Sequence, residues 1–155
     1  MSQKSLLNNI YLFKEMSDQE LTQIMAIAET QSHSPGDEIF SQGDKATALY
    51  VISYGSVRIH REGQEGNEIP VATLGTGGHF GEMAFIDEEK RSATVTAIEK
   101  TDVVKVSYVK LMGLLEANPQ ISIKFYRALA KFLCGRLRLT TTDLSFAREK
   151  NLRHF

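Results

Sequence analysis

The stretch GHFGEMAFIDEEKRSATVTA, residues 78–97, places one acidic residue, Glu82, between a glycine and a short apolar run. Arg91 follows nine positions later, at the head of the β-prone run Ser-Ala-Thr-Val-Thr. If residues 80–86 form a short helix, the N–H groups of its first turn are unpaired and point outward, where an anion fits. Arg91 adds a permanent charge on a planar fork that suits phosphate oxygens.

Glu82 requires a separate explanation, because a carboxylate beside an anion site is repelled unless it has its own donor. A sugar hydroxyl supplies one, and a phosphate next to a ribose hydroxyl describes a nucleotide. One arginine with helix-end amides suits a single charge better than a triphosphate. From charges alone, the alternative is a plain Glu82–Arg91 ion pair on a solvated turn. Strict strand alternation would also place Ser92 and Thr94 on the face opposite Arg91 and Ala93.

Length and composition limit what the chain can be. Its 155 residues, 42% of them hydrophobic, are enough for one core, so residues 1–155 are predicted to form a single domain. A net charge of −1 gives no basic surface, so we expect no nucleic-acid binding within this chain. The single cysteine, Cys134, excludes an intrachain disulfide and a Cys-based zinc site, as is typical of a cytoplasmic protein. No apolar run approaches the ~20 residues of a spanning helix, so no membrane partner is predicted.

The N-terminal region, about residues 6–30, is predicted to be helical. Ser17 stands three residues before Glu20, which is the pattern of a capping box, and Met16 and Leu21 have the spacing of its hydrophobic staple. The apolar spacing after Ser17 predicts a helix from about Asp18 to Glu29.

Residues 33–107 change to short β-prone segments separated by turn signals. The segments are LYVIS, SVRIHR, IPVATL, SATVTAI and DVVKVS. Strands that recur every 8 to 12 residues suggest a sandwich or an antiparallel jelly-roll barrel. With helices on both sides of this region, the predicted fold class is α+β.

Residues 108–150 are predicted to be helical again, with Asn118 and Pro119 as N-cap and first-turn residues. Two apolar stripes follow. The first has heptad spacing, and its members are Ile121, Phe125, Ala128, Phe132, Gly135, Leu139, Thr142 and Phe146; the second is Leu129, Leu133, Leu137 and Leu144. Either one stripe meets a partner or both pack within one subunit. Gly135 in mid-helix is either a close-contact point or a weak hinge.

The opening stretch closely resembles the phosphate-binding cassette of the cyclic nucleotide-binding domain family. The family pattern is Phe-Gly-Glu-aliphatic-Ala, a short loop, then Arg-Ser/Ala-Ala-Thr/Ser-Val. Here the cassette, residues 80–95, reads Phe80-Gly81-Glu82-Met83-Ala84, a loop from Phe85 to Lys90, and Arg91-Ser92-Ala93-Thr94-Val95. PGDEIFSQGDKATALYVISYGSVRI, upstream, is similar to the first β-hairpins of the family. The resemblance covers about residues 6 to 140.

This resemblance implies a jelly-roll barrel that binds cAMP or cGMP, with no other cofactor and no enzymatic activity. Glu82 would accept from the ribose 2′-hydroxyl and Arg91 would pair with the cyclic phosphate, from the loop before the strand proper. The backbone at Gly81, Met83 and Ala84 would line the phosphate. Ser92 would donate to the phosphate or reach the base, and Ala93 would leave room for the ligand.

The resemblance also implies a lid from the C-terminal helix. Placement from Asn118 and Pro119 puts Arg136 over the base, where its guanidinium would stack on the purine; the alternative is a solvated arginine. A ligand that touches barrel and helix would favour one helix position and so signal to a partner. The effector protein is not predicted. The chain is either a stand-alone sensor or a sensor fragment of a larger regulator, and its start, MSQKS, favours the former.

Two other functions have less support in the sequence. A cupin-like metalloenzyme would need clustered ligands such as His-x-His, and the four histidines, His33, His60, His79 and His154, offer no such pair. His79 is interpreted as a solvated loop residue. A ligand-free scaffold of the same fold would form a homodimer through Phe125, Phe132, Leu139 and Phe146, and the intact pair Glu82 and Arg91 argues against it.

Overall fold

Three short helical segments precede the strands in the computed structural model, which describes residues 3–152. They are α1 (Gln3–Asn8), a 3-10 turn (Tyr11–Phe13) and α2 (Asp18–Ala26). The capping box is confirmed: the backbone N–H of Glu20 donates to Ser17 Oγ at 3.2 Å, and the N–H of Ser17 donates to Glu20 Oε1 at 2.8 Å. The predicted helix end at Glu29 is wrong, because the chain leaves α2 at Ile27 and residues 28–33 pair with a strand instead.

Eight antiparallel strands follow and form two four-stranded sheets. The strands are β1 (Ala28–His33), β2 (Glu38–Phe40), β3 (Ala48–Tyr54), β4 (Ser56–Glu62), β5 (Glu68–Gly75), β6 (His79–Phe80), β7 (Thr94–Ala97) and β8 (Thr101–Ser107). The spatial order is β1-β8-β3-β6 in one sheet and β2-β7-β4-β5 in the other. This arrangement of two sheets is that of a jelly roll. The predicted fold class is therefore confirmed, although the strands begin at Ala28 rather than at His33.

Two apolar clusters hold these layers together. The smaller one lies between the sheets and contains Tyr50, Ile52, Val57, Phe80 and Val103, among others. The larger one joins strands β3 and β8 to the helices that flank them. Met16 and Leu21 are both buried in it, as the predicted staple requires. The assignment of residues 1–155 to a single domain stays a prediction.

A short helix, α3 (Met83–Asp87), lies between β6 and β7. Two helices follow the last strand: α4 (Tyr108–Ala117) and α5 (Pro119–Leu152). The carbonyl of Asn118 accepts from Ser122 N at 3.0 Å, as expected at the start of α5. Its side-chain amide, however, donates to Leu114 O at 2.9 Å and so satisfies the end of α4. The predicted N-cap residue thus serves the preceding helix with its side chain.

Burial of the two apolar stripes of α5 changes along the length of the helix and does not differ between the two stripes. Early members of both stripes are buried, namely Ile121, Phe125, Ala128 and Leu129. Late members are exposed, namely Leu137, Leu139, Leu144 and Phe146. A Cβ added to Gly135 would meet no atom of the described chain within 4 Å, so this glycine is not a close-contact point within one subunit. Among residues 3–152, no helix is long and apolar enough to span a bilayer.

Candidate functional site

The predicted cassette crosses from one sheet to the other. It leaves the first sheet with β6, forms the short helix α3 (Met83–Asp87), and enters the second sheet at β7. Glu82 lies two residues after the end of β6, and Arg91 lies three residues before β7. A short helix is present as predicted, but it begins at Met83 rather than at Phe80, which belongs to β6. The helix takes up the first half of the loop expected from Phe85 to Lys90. The cassette thus brings both polar residues to the same end of the jelly roll.

The Arg91 side chain is buried, and its guanidinium donates only to neutral oxygens. Nη2 lies 2.5 Å from the carbonyl oxygen of Ala48, and Nη1 lies 3.2 Å from both Gly81 O and Tyr108 Oη. The guanidinium carbon lies 3.9 Å from the ring centroid of Phe40, a cation–π distance. The buried Nε has no hydrogen-bond acceptor among the described residues. Because no described carboxylate pairs with Arg91, its charge is available to an anion.

The backbone of Arg91 is held by the turn at Gly43 and Asp44. Gly43 N donates to Arg91 O, and Arg91 N donates to Asp44 O, each at 2.8 Å. These bonds place Arg91 in a loop, and β7 begins only at Thr94. Strand alternation therefore does not apply to Arg91 and Ser92, as the family resemblance implied. The Ser92 side chain is exposed, whereas Ala93 is buried.

Tyr108, the first residue of α4, joins Arg91 to the cassette backbone. Its hydroxyl donates to the carbonyl oxygen of Gly81 and accepts from Arg91 Nη1. Burial raises the pKa of the Tyr108 phenol, and the Arg91 charge opposes this effect only in part. The phenol therefore keeps its proton at neutral pH and can donate. Sequence reasoning missed Tyr108, because no spacing connects it to Gly81 or to Arg91.

Glu82 is buried with an exposed fraction of 5%, and its carboxylate does not pair with Arg91. The surface ion pair that charges alone suggested is thus wrong. Instead, Glu82 Oε1 lies 3.5 Å from His79 Nδ1. His79 is also buried, at 7% exposed, so its interpretation as a solvated loop histidine is wrong as well. The only sequence signal for this pair was the i,i+3 spacing.

The first turn of α3 offers two backbone donors next to Glu82. The N–H groups of Met83 and Ala84 have no acceptor among the described residues, and the first N–H with a partner is that of Phe85, which donates to Glu82 O at 3.2 Å. The Met83 side chain is exposed and that of Ala84 is half-buried. The predicted contribution of both residues therefore concerns their backbone.

Arg136 lies on the exposed part of α5, and its guanidinium carbon is 5.3 Å from the ring centroid of Phe132, one turn earlier. The ring of Phe132 in turn contacts His79, with 4.4 Å between centroids. Arg136 is thus connected through the rings of Phe132 and His79 to the residue that precedes the cassette. It makes no contact with Arg91 or Glu82.

No group of three potential metal-ligating side chains is found in residues 3–152, and His154, one of the four histidines considered, lies outside the described residues.

Comparison with known proteins identifies the family. Residues 30–118 match the cyclic nucleotide-binding domain, and this match covers more than half of the chain. The chain belongs to that family and is a cyclic nucleotide-binding regulatory domain.

Individual relatives carry different names. A cyclic AMP receptor protein of Thermus thermophilus is 32% identical over 143 residues, which are 90% of this chain and 64% of that protein. Cyclic GMP-binding protein C of Dictyostelium discoideum is 28% identical over 137 residues, 88% of this chain and 5% of that protein. Among solved structures, the N-terminal domain of a transcriptional regulator from Streptomyces coelicolor superposes with a TM-score of 0.76 at 29% identity, covering 87% of this chain and 94% of that domain. The chain thus spans less than two thirds of the first of these relatives.

Proposed function

We propose that this chain is a sensor that binds cAMP or cGMP, with the cyclic phosphate on Arg91 and the ribose on Glu82. The observation that carries this proposal is the state of Arg91, a buried cation that only carbonyl, hydroxyl and aromatic groups accompany. A buried charge is costly unless it is paired. A cyclic phosphate carries one negative charge and would supply the missing partner.

The other contacts follow from the positions of the remaining residues. The free N–H groups of Met83 and Ala84, together with the backbone at Gly81, would line the phosphate. The Ser92 hydroxyl would donate to the phosphate or reach the base, and Ala93 would leave room for the ligand. Arg136 would stack on the purine from α5, since Phe132, one turn earlier, contacts His79 directly before the cassette.

Calorimetric titration of the purified chain with cAMP and with cGMP tests this proposal. We expect Arg91→Ala to weaken binding by about 1.5–3 kcal/mol, as for a lost hydrogen bond to a charged group, which is roughly ten- to hundredfold in Kd. Arg61→Ala is the matched control, since Arg61 is an exposed arginine at the end of β4. It should bind as the wild type does.

ATP serves as the control ligand, because one buried arginine suits a single phosphate charge. Absence of heat with either cyclic nucleotide at millimolar concentration would contradict the proposal. Equal loss of affinity in both arginine variants would also contradict it, since the effect would then come from net charge rather than from the site. The names of relatives mention both cyclic AMP and cyclic GMP, so both must be titrated.

Signalling would use the contacts that connect the site to the C-terminal helices. Tyr108 connects Arg91 to α4, and the rings of His79 and Phe132 connect the cassette to α5. A ligand that binds one arrangement of these elements better would shift the population toward it. The partner that would receive this signal is an effector protein or a second copy of this chain.

Two further predictions concern the setting of this activity. The net charge of −1 supports the view that the chain itself does not bind nucleic acid, and the single cysteine supports a cytoplasmic location. A regulatory rather than enzymatic role agrees with the family to which the chain belongs.

A further inference from the structure

His79 has a buried nitrogen that lacks a hydrogen bond. The residue lies on β6 opposite Val51, and its Nδ1 atom is buried with no partner among residues 3–152 that meets hydrogen-bond geometry. Most buried polar atoms in proteins are hydrogen-bonded. An exception at the edge of a binding site therefore requires an explanation.

Oε1 of Glu82 lies 3.5 Å from this nitrogen. This distance is a few tenths of an ångström beyond a normal N–H···O hydrogen bond, so a small rotation of either side chain would form one. Both side chains are nearly inaccessible to solvent. Water therefore has little access to the pair, which makes a direct bond between them worth more.

The imidazole of His79 also contacts the C-terminal helix α5. The ring of Phe132 from α5 lies 4.4 Å from it between centroids, tilted by 56°. The imidazole thus contacts both the helix and the carboxylate. Because His79 is buried against Phe132, this packing limits the rotation of its side chain.

We propose that His79 is a positioning residue for Glu82: its Nδ1–H donates to one carboxylate oxygen and leaves the other oxygen to accept the ribose 2′-hydroxyl. This inference rests on the proposed function, because it assigns Glu82 to the ribose. A carboxylate has two oxygens and can accept both bonds at once. Without the first bond, the carboxylate can rotate away from the sugar.

The test uses two variants of the full chain and two probes. His79→Phe keeps a ring against Phe132 but removes the donor, whereas His79→Asn keeps an N–H donor near the position of Nδ1. The probes are cAMP and 2′-deoxy-cAMP, which lacks the hydroxyl that Glu82 would accept. We expect His79→Phe to weaken the binding of cAMP about tenfold, as for one lost hydrogen bond to a charged group. His79→Asn should retain most of the wild-type affinity for cAMP, because its side chain still carries an N–H donor.

The deoxy probe separates a positioning role from a structural one. We expect 2′-deoxy-cAMP to bind wild type and both variants alike, because it has no hydroxyl for Glu82. The ratio of the two affinities is measured on one protein sample, so a partly unfolded variant changes the stoichiometry and not the ratio. An unchanged ratio in His79→Phe, whether both affinities stay or fall together, overturns the inference. Wild type that binds neither cAMP nor cGMP overturns the proposed function instead.

A measurement without ligand covers the case in which His79→Phe does not fold. Nitrogen-15 NMR of the wild-type imidazole should show a proton on Nδ1, with a resonance that moves in Glu82→Gln. An Nδ1 without a proton at neutral pH overturns the inference independently of any ligand.

Discussion

At the scale of single residues, the site depends on a close approach between Arg91 and Gly81. Gly81 has a φ of 81°, in the region that side chains other than glycine rarely adopt. A Cβ at this position would lie 2.9 Å from Arg91 Nη1 and 3.2 Å from Ala48 O. Glycine is therefore required twice, once by the backbone and once by the guanidinium beside it.

This double requirement predicts different outcomes for two glycine variants. Gly66 also has a positive φ, 78°, but a Cβ there would meet no atom within 4 Å. We expect Gly81→Ala and Gly66→Ala each to lose about 1–2 kcal/mol of unfolding free energy from the left-handed backbone. Only Gly81→Ala should also weaken cyclic nucleotide binding, by tenfold or more, because it displaces Arg91. Urea denaturation and calorimetry measure the two effects, and normal ligand affinity in Gly81→Ala would refute the proposed role of this contact.

At the scale of elements, an ion pair joins the N-terminal helices to α5. Lys124 Nζ on α5 lies 2.6 Å from Glu20 Oε1 on α2, and Glu20 also completes the capping box with Ser17. The pKa of Glu20 is lowered, chiefly by the hydrogen bond from Lys124 and next by the bond from the Ser17 backbone. Burial of the carboxylate opposes this shift. The folded state thus favours the ionised carboxylate.

A lowered pKa predicts how the stability of the helical layer changes with pH. The contribution of ionised Glu20 is complete above its unfolded-state pKa of about 4.3 and is lost as the pH falls through the lower folded-state value. Glu20→Gln keeps an acceptor for the capping box and removes the charge. We expect it to cost about 0.5–1 kcal/mol at pH 7, because Lys124 is partly exposed, and little at acidic pH. Thermal unfolding across pH checks this; a cost that does not depend on pH would contradict the ion-pair explanation.

At the scale of the whole molecule, the exposed part of α5 is the surface best suited to a second copy of the chain. Leu139 and Phe146 are 58% and 68% exposed and are seven residues apart, so they lie on one face of the helix. Phe125 occupies the same heptad position but is fully buried, so the predicted dimer stripe is shorter than expected. The surface proposed for the homodimer is therefore the part of this stripe after Phe132.

A charge in this stripe should separate the two copies. We expect the wild-type chain to sediment as a dimer at micromolar concentration and Phe146→Glu as a monomer, because a buried unpaired carboxylate is costly. Ser145→Glu adds the same charge at the neighbouring polar position and should remain dimeric. Analytical ultracentrifugation distinguishes these species. A monomeric wild type, or two glutamate variants that behave alike, would rule out this interface.

The sequence by itself determined five of the eight described strands, the capping box at Ser17 and the family of the cassette, because these depend on local periodicity and on residues close in the chain. The strands β1, β2 and β6 were not among the predicted segments. Tertiary structure decided the rest. The end of α2 depends on the pairing of Ala28 with a strand far along the chain. Tyr108 and the Ala48 carbonyl reach Arg91 only because the two sheets bring them together. Likewise His79 is buried because a helix some fifty residues later covers it, and no local pattern encodes such a contact.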